Sequence, residues 1–175
     1  MPATNGLNEQ HGQPRSEPMD AAALRAQLEQ LHPVSYGWAL ACCSRNPMEA
    51  EDILQTAYWK VLDGRARYDG RAAFKTWLFA VIRRTAADER RRHWLRRWRL
   101  ADYRQEPPEP PAPLSEMLAA ALAQLPRRQR EVLHLVFYQD LTIEAAAAVM
   151  GVAVGSARTH YERGKQRLRE LLHEP

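Results

Sequence analysis

Cysteine is almost missing from this chain of 175 residues: Cys42 and Cys43 are the only two, and they are adjacent. No Cys-x-x-Cys spacing exists to build a zinc site. Successive helix positions point about 100° apart, so a disulfide between neighbours is strained. The pair reads as small buried hydrophobes of a reducing compartment. His134, His160 and His173 are scattered and suggest no metal site. There is no glycine-rich phosphate loop and no nucleophile elbow. Glu51 and Asp52 are a carboxylate pair in sequence alone, since a helix splays neighbours apart. Nothing here calls for an enzyme or a cofactor. No apolar run approaches a membrane span, and the N-terminus lacks a basic-then-apolar leader pattern, so the expected location is the cytoplasm. Strand-like alternation is missing too, which leaves an all-α chain.

Positive charge is present and clustered. The formal net charge is only +4, but residues 83–99 carry eight arginines against Asp88 and Glu89. Trp94 and Trp98 are interleaved with them. Upstream on the same predicted helix, Phe74, Trp77, Leu78, Val81, Ile82 and Thr85 repeat at one helical face aimed at a core. One face therefore packs, while the other offers cations and aromatics to a polyanion with exposed bases.

In chain order, residues 1–19 are polar and proline-rich and are expected to be a disordered tail. Asp20 is placed to cap a helix through Leu31. Pro33 is expected to break it, with a second helix from Val34 to about Ser44. Asn46-Pro47 is a turn signal that starts a third, PMEAEDILQTAYWKVL. Its apolar positions Ile53, Leu54, Ala57, Tyr58, Val61 and Leu62 should face inward, and Asp52, Gln55, Thr56, Trp59 and Lys60 outward. An outward tryptophan beside Asp52 and Gln55 is a candidate partner surface. After the loop GRARYDG comes the Phe74 helix. This gives a four-helix domain over 20–98, a semi-rigid acidic linker over 99–114 with five prolines between 107 and 113, and a second helical domain over 115–175.

In the second domain Ala147, Gly151 and Ala157 stand at helix-turn-helix spacing. The small residue permits close approach, the glycine supplies the positive-φ turn, and the third position packs the helices together. Thr142 caps the first of the two helices. The outer face of the second carries Ser156, Arg158, Thr159, Glu162, Arg163, Lys165 and Gln166. Arg158 and Arg163 suit guanine, Glu162 suits cytosine N4, and Lys165 suits a phosphate.

Four motifs, AEDILQTAYWKVL, RYDGRAAFKTWLFAVIRRTAAD, LPRRQREVLHLVFYQDLT and AAAAVMGVAVGSARTHYERGKQRLREL, together resemble the extracytoplasmic-function (ECF) sigma factors of bacterial RNA polymerase. The resemblance covers roughly residues 28–172 and implies an all-α fold of two small helical domains. It implies that Asp52, Gln55, Thr56 and Trp59 meet the clamp helices of the polymerase largest subunit, and that the flap is a second polymerase contact. It implies that Tyr68, Lys75, Trp77, Arg83, Arg84, Asp88, Arg91 and Arg92 hold the downstream promoter hexamer as it melts, with one base flipped out. The second domain would read the upstream hexamer as duplex, and an anti-sigma factor is an expected partner. Arg84 stands where the family often has asparagine, and Thr56 where an acidic residue is common. The C-terminal third also resembles the LuxR-type domain of stand-alone regulators. The helical first half, without a receiver-like pattern, argues against that alternative.

Overall fold

The structure, a computed structural model, describes residues 19–43, 45–99 and 113–173, with side chains from 19–95 and 117–173 apart from residue 44. The expected N-terminal tail and acidic linker fall outside those residues, apart from their edges. Seven helices and no strand occur among the described residues: α1 Ala21–Cys42, α2 Pro47–Leu62, α3 Phe74–Arg99, α4 Pro113–Gln124, α5 Arg127–Phe137, α6 Ile143–Met150 and α7 Val154–His173.

The starts of α1, α2 and α6 are fixed by short polar caps. Asp20 accepts from the Ala23 amide (2.7 Å), Asn46 from Glu49 (3.3 Å) and Thr142 from Ala145 (3.1 Å). Pro47 occupies the first turn of α2, where a missing N–H costs nothing. The break expected at Pro33 does not occur: α1 runs through it, and the first half has three helices rather than four. Pro33 lies on the exposed face, where water can meet the Glu29 carbonyl that loses its donor. On the other side of α1, buried Leu28, Ser35, Trp38, Ala39 and Cys42 hold both halves of the helix to one core.

Trp38 is the centre of that core. It is fully buried and donates its indole N–H to the Phe79 carbonyl at 3.0 Å. Its ring stacks on Phe79 on one side (6.0 Å between centroids) and on His134 on the other (5.5 Å). Phe79 belongs to α3 and His134 to α5, so one apolar cluster runs through both halves, joining Leu78 and Ile82 to Val132, Leu135, Val149 and Met150. Helix α3 packs against α1, α2 and α6, and α7 closes over α4, α5 and α6. Cys42 and Cys43 are buried free thiols, as their spacing indicated. Burial, and then Glu49, raises the Cys43 thiol to about 11. Burial, and then Glu131, raises Cys42 as well.

Ion pairs reinforce the contact between the halves. Glu131, 2% exposed, accepts from Arg83 of α3 (3.1 Å) and from Arg127 (2.7 Å), with Arg128 at 3.6 Å. Lys75 of α3 donates to the Gln139 carbonyl at 2.7 Å. The inward assignment of Leu62 was wrong. It is 48% exposed at the last turn of α2, one position off the buried stripe of Ile53, Leu54, Ala57 and Val61.

Candidate nucleic-acid interface

Three surfaces carry the side chains singled out from the sequence. The first is a groove of about 400 Å³ between α2, the 63–73 loop and α3. Trp77, Val81, Arg84 and Asp88 line its α3 wall, Lys60 its α2 wall, and Arg65, Ala66 and Arg67 its loop edge. The spacing of 77, 81, 84 and 88 sets them on one helical stripe. Tyr68 props the loop. Its ring meets Phe74 edge-on and leans on Trp77, each at 5.3 Å, while its hydroxyl donates to the Ala72 carbonyl at 2.6 Å. Arg67 Nε donates to the Gly64 carbonyl (3.3 Å), and the Ala66 amide to the Lys60 carbonyl (2.8 Å). Lys60 Nζ donates to Thr85 Oγ1 (3.1 Å) and sits 3.6 Å from Asp88.

The eight positions expected to hold the downstream hexamer do not all share this groove. Trp77, Arg84 and Asp88 line it, and Tyr68 adjoins it through its ring contact with Trp77. Arg91 and Arg92 are exposed further along α3, with Arg92 paired to Glu89. Lys75 and Arg83 lie on a different face, engaged by Gln139 and Glu131 of the second half. The side chains of 96–99, including Trp98, are outside those described. Sequence reading missed Arg65 and Arg67. Their signal was two loop cations spaced around Ala66 just ahead of an aromatic, in GRARYDG.

The second surface is the helix-turn-helix. Gly151 adopts the left-handed conformation (φ 63°, ψ 43°) that ends α6. Its amide bonds to the Ala148 carbonyl (3.3 Å) and the Val152 amide to Ala147 (3.1 Å), a Schellman ending. Ala147 and Ala157 are both buried where α6 meets α7. Further along, Gly164 lies against α5, where an added Cβ would come within 3.2 Å of Gln129 Cβ and Leu133 Cδ1. Close packing on one side leaves Ser156, Arg158, Thr159, Glu162 and Arg163 exposed on the other. Arg158 is 3.8 Å from Glu144. Lys165 lies 3.6 Å from Glu162 and over the Tyr161 ring at 4.9 Å. The Thr159 hydroxyl donates to the Gly155 carbonyl of its own helix (2.9 Å).

The third surface is the outer face of α2. Asp52 and Gln55 are exposed, Thr56 is half-buried, and Trp59 is 51% exposed with the Arg65 guanidinium 4.2 Å above its ring. Met48 and Leu62 extend this stripe at both ends, so an apolar strip carries a carboxylate and an amide along it. That composition suits a protein surface rather than a phosphate backbone.

A helical body with a cation- and aromatic-lined groove, packed on a helix-turn-helix whose second helix faces outward, defines a two-region DNA-binding transcription protein. Residues 28–96 match the family model of Sigma-70 region 2, and residues 115–168 that of Sigma-70, region 4. The RNA polymerase sigma factor CarQ of Myxococcus xanthus is 34% identical over 141 residues, covering 77% of this chain and 81% of CarQ. The ECF RNA polymerase sigma factor SigF of Caulobacter vibrioides is 30% identical over 158 residues, 87% of each chain. In three dimensions the chain resembles the sigma factor RpoE of Bartonella quintana, solved with the anti-sigma factor NepR. The TM-score is 0.73 at 24% identity, covering 85% of this chain and 95% of that one. The chain belongs to the ECF RNA polymerase sigma factors. It is an alternative sigma factor: it binds core RNA polymerase and promoter DNA and directs transcription initiation. The LuxR-like alternative has no support. No described helix is long and apolar enough to cross a membrane.

Proposed function

We propose that the three surfaces divide the work of initiation. The α2 strip of Asp52, Gln55, Thr56 and Trp59 docks on the polymerase clamp helices, and the second region docks on the flap. The groove around Tyr68, Trp77, Arg84 and Asp88, extended by Arg91 and Arg92, holds the melted downstream element. Ser156, Arg158, Thr159, Glu162, Arg163 and Lys165 read the upstream element as duplex. Lys75 and Arg83 join the downstream surface when the two halves separate. The domain division is 20–98 and 115–175 around an acidic linker, the site of action is the cytoplasm, and the protein is a binding subunit rather than an enzyme.

The observation that carries this reading is the pairing of two different binding chemistries in one chain. A slot with a tryptophan in its wall and cations at its rim suits unpaired bases. An exposed recognition helix suits the major groove. Strand opening at a promoter needs both. The sigma factor RpoE is solved with the anti-sigma factor NepR, and CnrH, which this chain also resembles in fold, in complex with the cytosolic domain of CnrY. An anti-sigma partner is therefore part of the proposal. The test is co-migration of the full chain with bacterial core polymerase, followed by run-off transcription. Trp59→Ala is expected to lower core affinity while leaving Tm unchanged, since the ring is half exposed. Association equal to wild type would remove the α2 strip from the polymerase contact.

A further inference from the structure

The chemistry of the α2–α3 groove constrains which base it accepts, on the reading that this groove holds melted promoter DNA. Among its lining Trp77 offers one planar aromatic face for a base, beside the small apolar Ala66 and Val81. Its polar edge is dominated by donors. Arg84 is exposed, and its one hydrogen bond among the described residues is a long contact from Nε to the Ala80 carbonyl of its own helix (3.4 Å). Both terminal nitrogens of the guanidinium are thus free to form a fork. Arg67 points along the loop edge with its Nε held by Gly64. The one carboxylate present, Asp88, is already faced by Lys60 at 3.6 Å.

A guanidinium fork needs two adjacent acceptors. Guanine offers O6 and N7, and cytosine offers N3 and O2. Adenine places its N6 amino donor beside both N7 and N1, which opposes the fork. Thymine separates O2 from O4 by the N3–H donor. We propose that this groove selects one unpaired guanine or cytosine from the melted strand, with Arg84 as the specificity-determining residue. The two bases share a pair of adjacent acceptors, so the preference is set by paired acceptors rather than by ring size. Lys60 acts on Asp88, keeping its carboxylate turned from the fork.

The test uses the full chain assembled with core polymerase. A single-stranded DNA library randomised over a hexamer-sized window is retained on this holoenzyme and sequenced, for wild type, Arg84→Ala and Arg84→Lys. Wild type is expected to enrich guanine or cytosine at one position by about fivefold to a hundredfold. Arg84→Lys keeps the charge but not the fork, so it is expected to lose that enrichment while losing less strand retention than Arg84→Ala. Fixed oligonucleotides then separate the two sources. If guanine is enriched, 7-deazaguanine there should bind wild type as weakly as unsubstituted strand binds Arg84→Ala. If cytosine is enriched, 3-deazacytosine should do so. Adenine or thymine at the responding position overturns the proposal. So does a base profile unchanged by both substitutions, or a deaza analogue that binds like its parent. Core association with no strand retained by wild type would overturn the wider assignment of the groove as well. Sequence selection elsewhere in the window without an Arg84-dependent position would overturn the base inference only. Because Arg84 is exposed, equal Tm values for the variants confirm that folding is not the cause.

Discussion

His134 sits between the Trp38 and Tyr138 rings, with Gln139 Nε2 at 3.3 Å from its Nε2. Burial, with Arg45 adding to it, lowers this imidazole from 6.5 to about 4. The folded protein therefore holds fewer protons on this ring than the unfolded chain does between those values. Stability rises with pH across that window and is lost as pH falls from about 6.5 to about 4. The full swing is on the order of 3 kcal/mol. His134→Phe keeps the stack but not the titration. Its denaturant midpoint should vary less with pH between 4 and 6.5 than that of wild type, and parallel curves for the two would exclude His134 as the cause. On the recognition helix, Arg158→Ala and Arg163→Ala should each lower upstream-element discrimination by about 1–3 kcal/mol. Promoter competition assays measure this directly, and unchanged selection in both would remove these residues from base reading. Arg158 has only a long, exposed pairing with Glu144 to give up on binding.

Helix α7 depends on the residue with no side chain. At Gly164 an added Cβ meets the backbone-proximal Gln129 Cβ at 3.2 Å, which has no rotamer by which to move aside. Gly164→Ala gains about 1 kcal/mol of helix propensity but should lose about 1–3 kcal/mol to overpacking. The expected result is a lower Tm together with weaker duplex binding, because the tilt of α7 carries Arg158 and Arg163 with it. A Tm at or above wild type would show that α5 yields. Elements of this kind were legible from sequence. The caps at Asp20 and Thr142, the turn at Gly151 and the buried stripe of α3 follow from local chemistry and a 3.6-residue period. Pro33 and Leu62 were misread because each outcome depends on what covers the helix there. An exposed proline costs one hydrogen bond to a carbonyl that water can reach. A leucine one position off the stripe of Ile53, Leu54, Ala57 and Val61 is turned about 100° away from the core.

At the scale of the whole molecule, the contact between the halves had no sequence signature. Arg83 and Glu131 are 48 residues apart, and Lys75 and Gln139 are 64 apart. A lone glutamate in a basic helix looks like any solvated charge. Buried under three arginines it becomes a fastener. The same contact explains why Lys75 and Arg83 are absent from the downstream groove: the two halves share one core, and these side chains face it. In this arrangement Lys75 and Arg83 are held by the second half, while Arg84 and the outer face of α7 stay exposed. Glu131→Gln removes the charge that Arg83 faces at 13% side-chain exposure, and breaking a buried pair costs about 3–5 kcal/mol. Apolar contacts of Trp38 and Phe79 with Val132 and Leu135 remain, so the variant should shift a population rather than unfold. Small-angle scattering should show a larger radius of gyration for Glu131→Gln than for wild type at equal helicity. High salt should not reproduce the expansion in wild type, because a buried pair is weakly screened. Superimposable scattering profiles with unchanged Tm would mean that apolar packing alone holds the halves together, and the glutamate would be left as a consequence of closure rather than a cause.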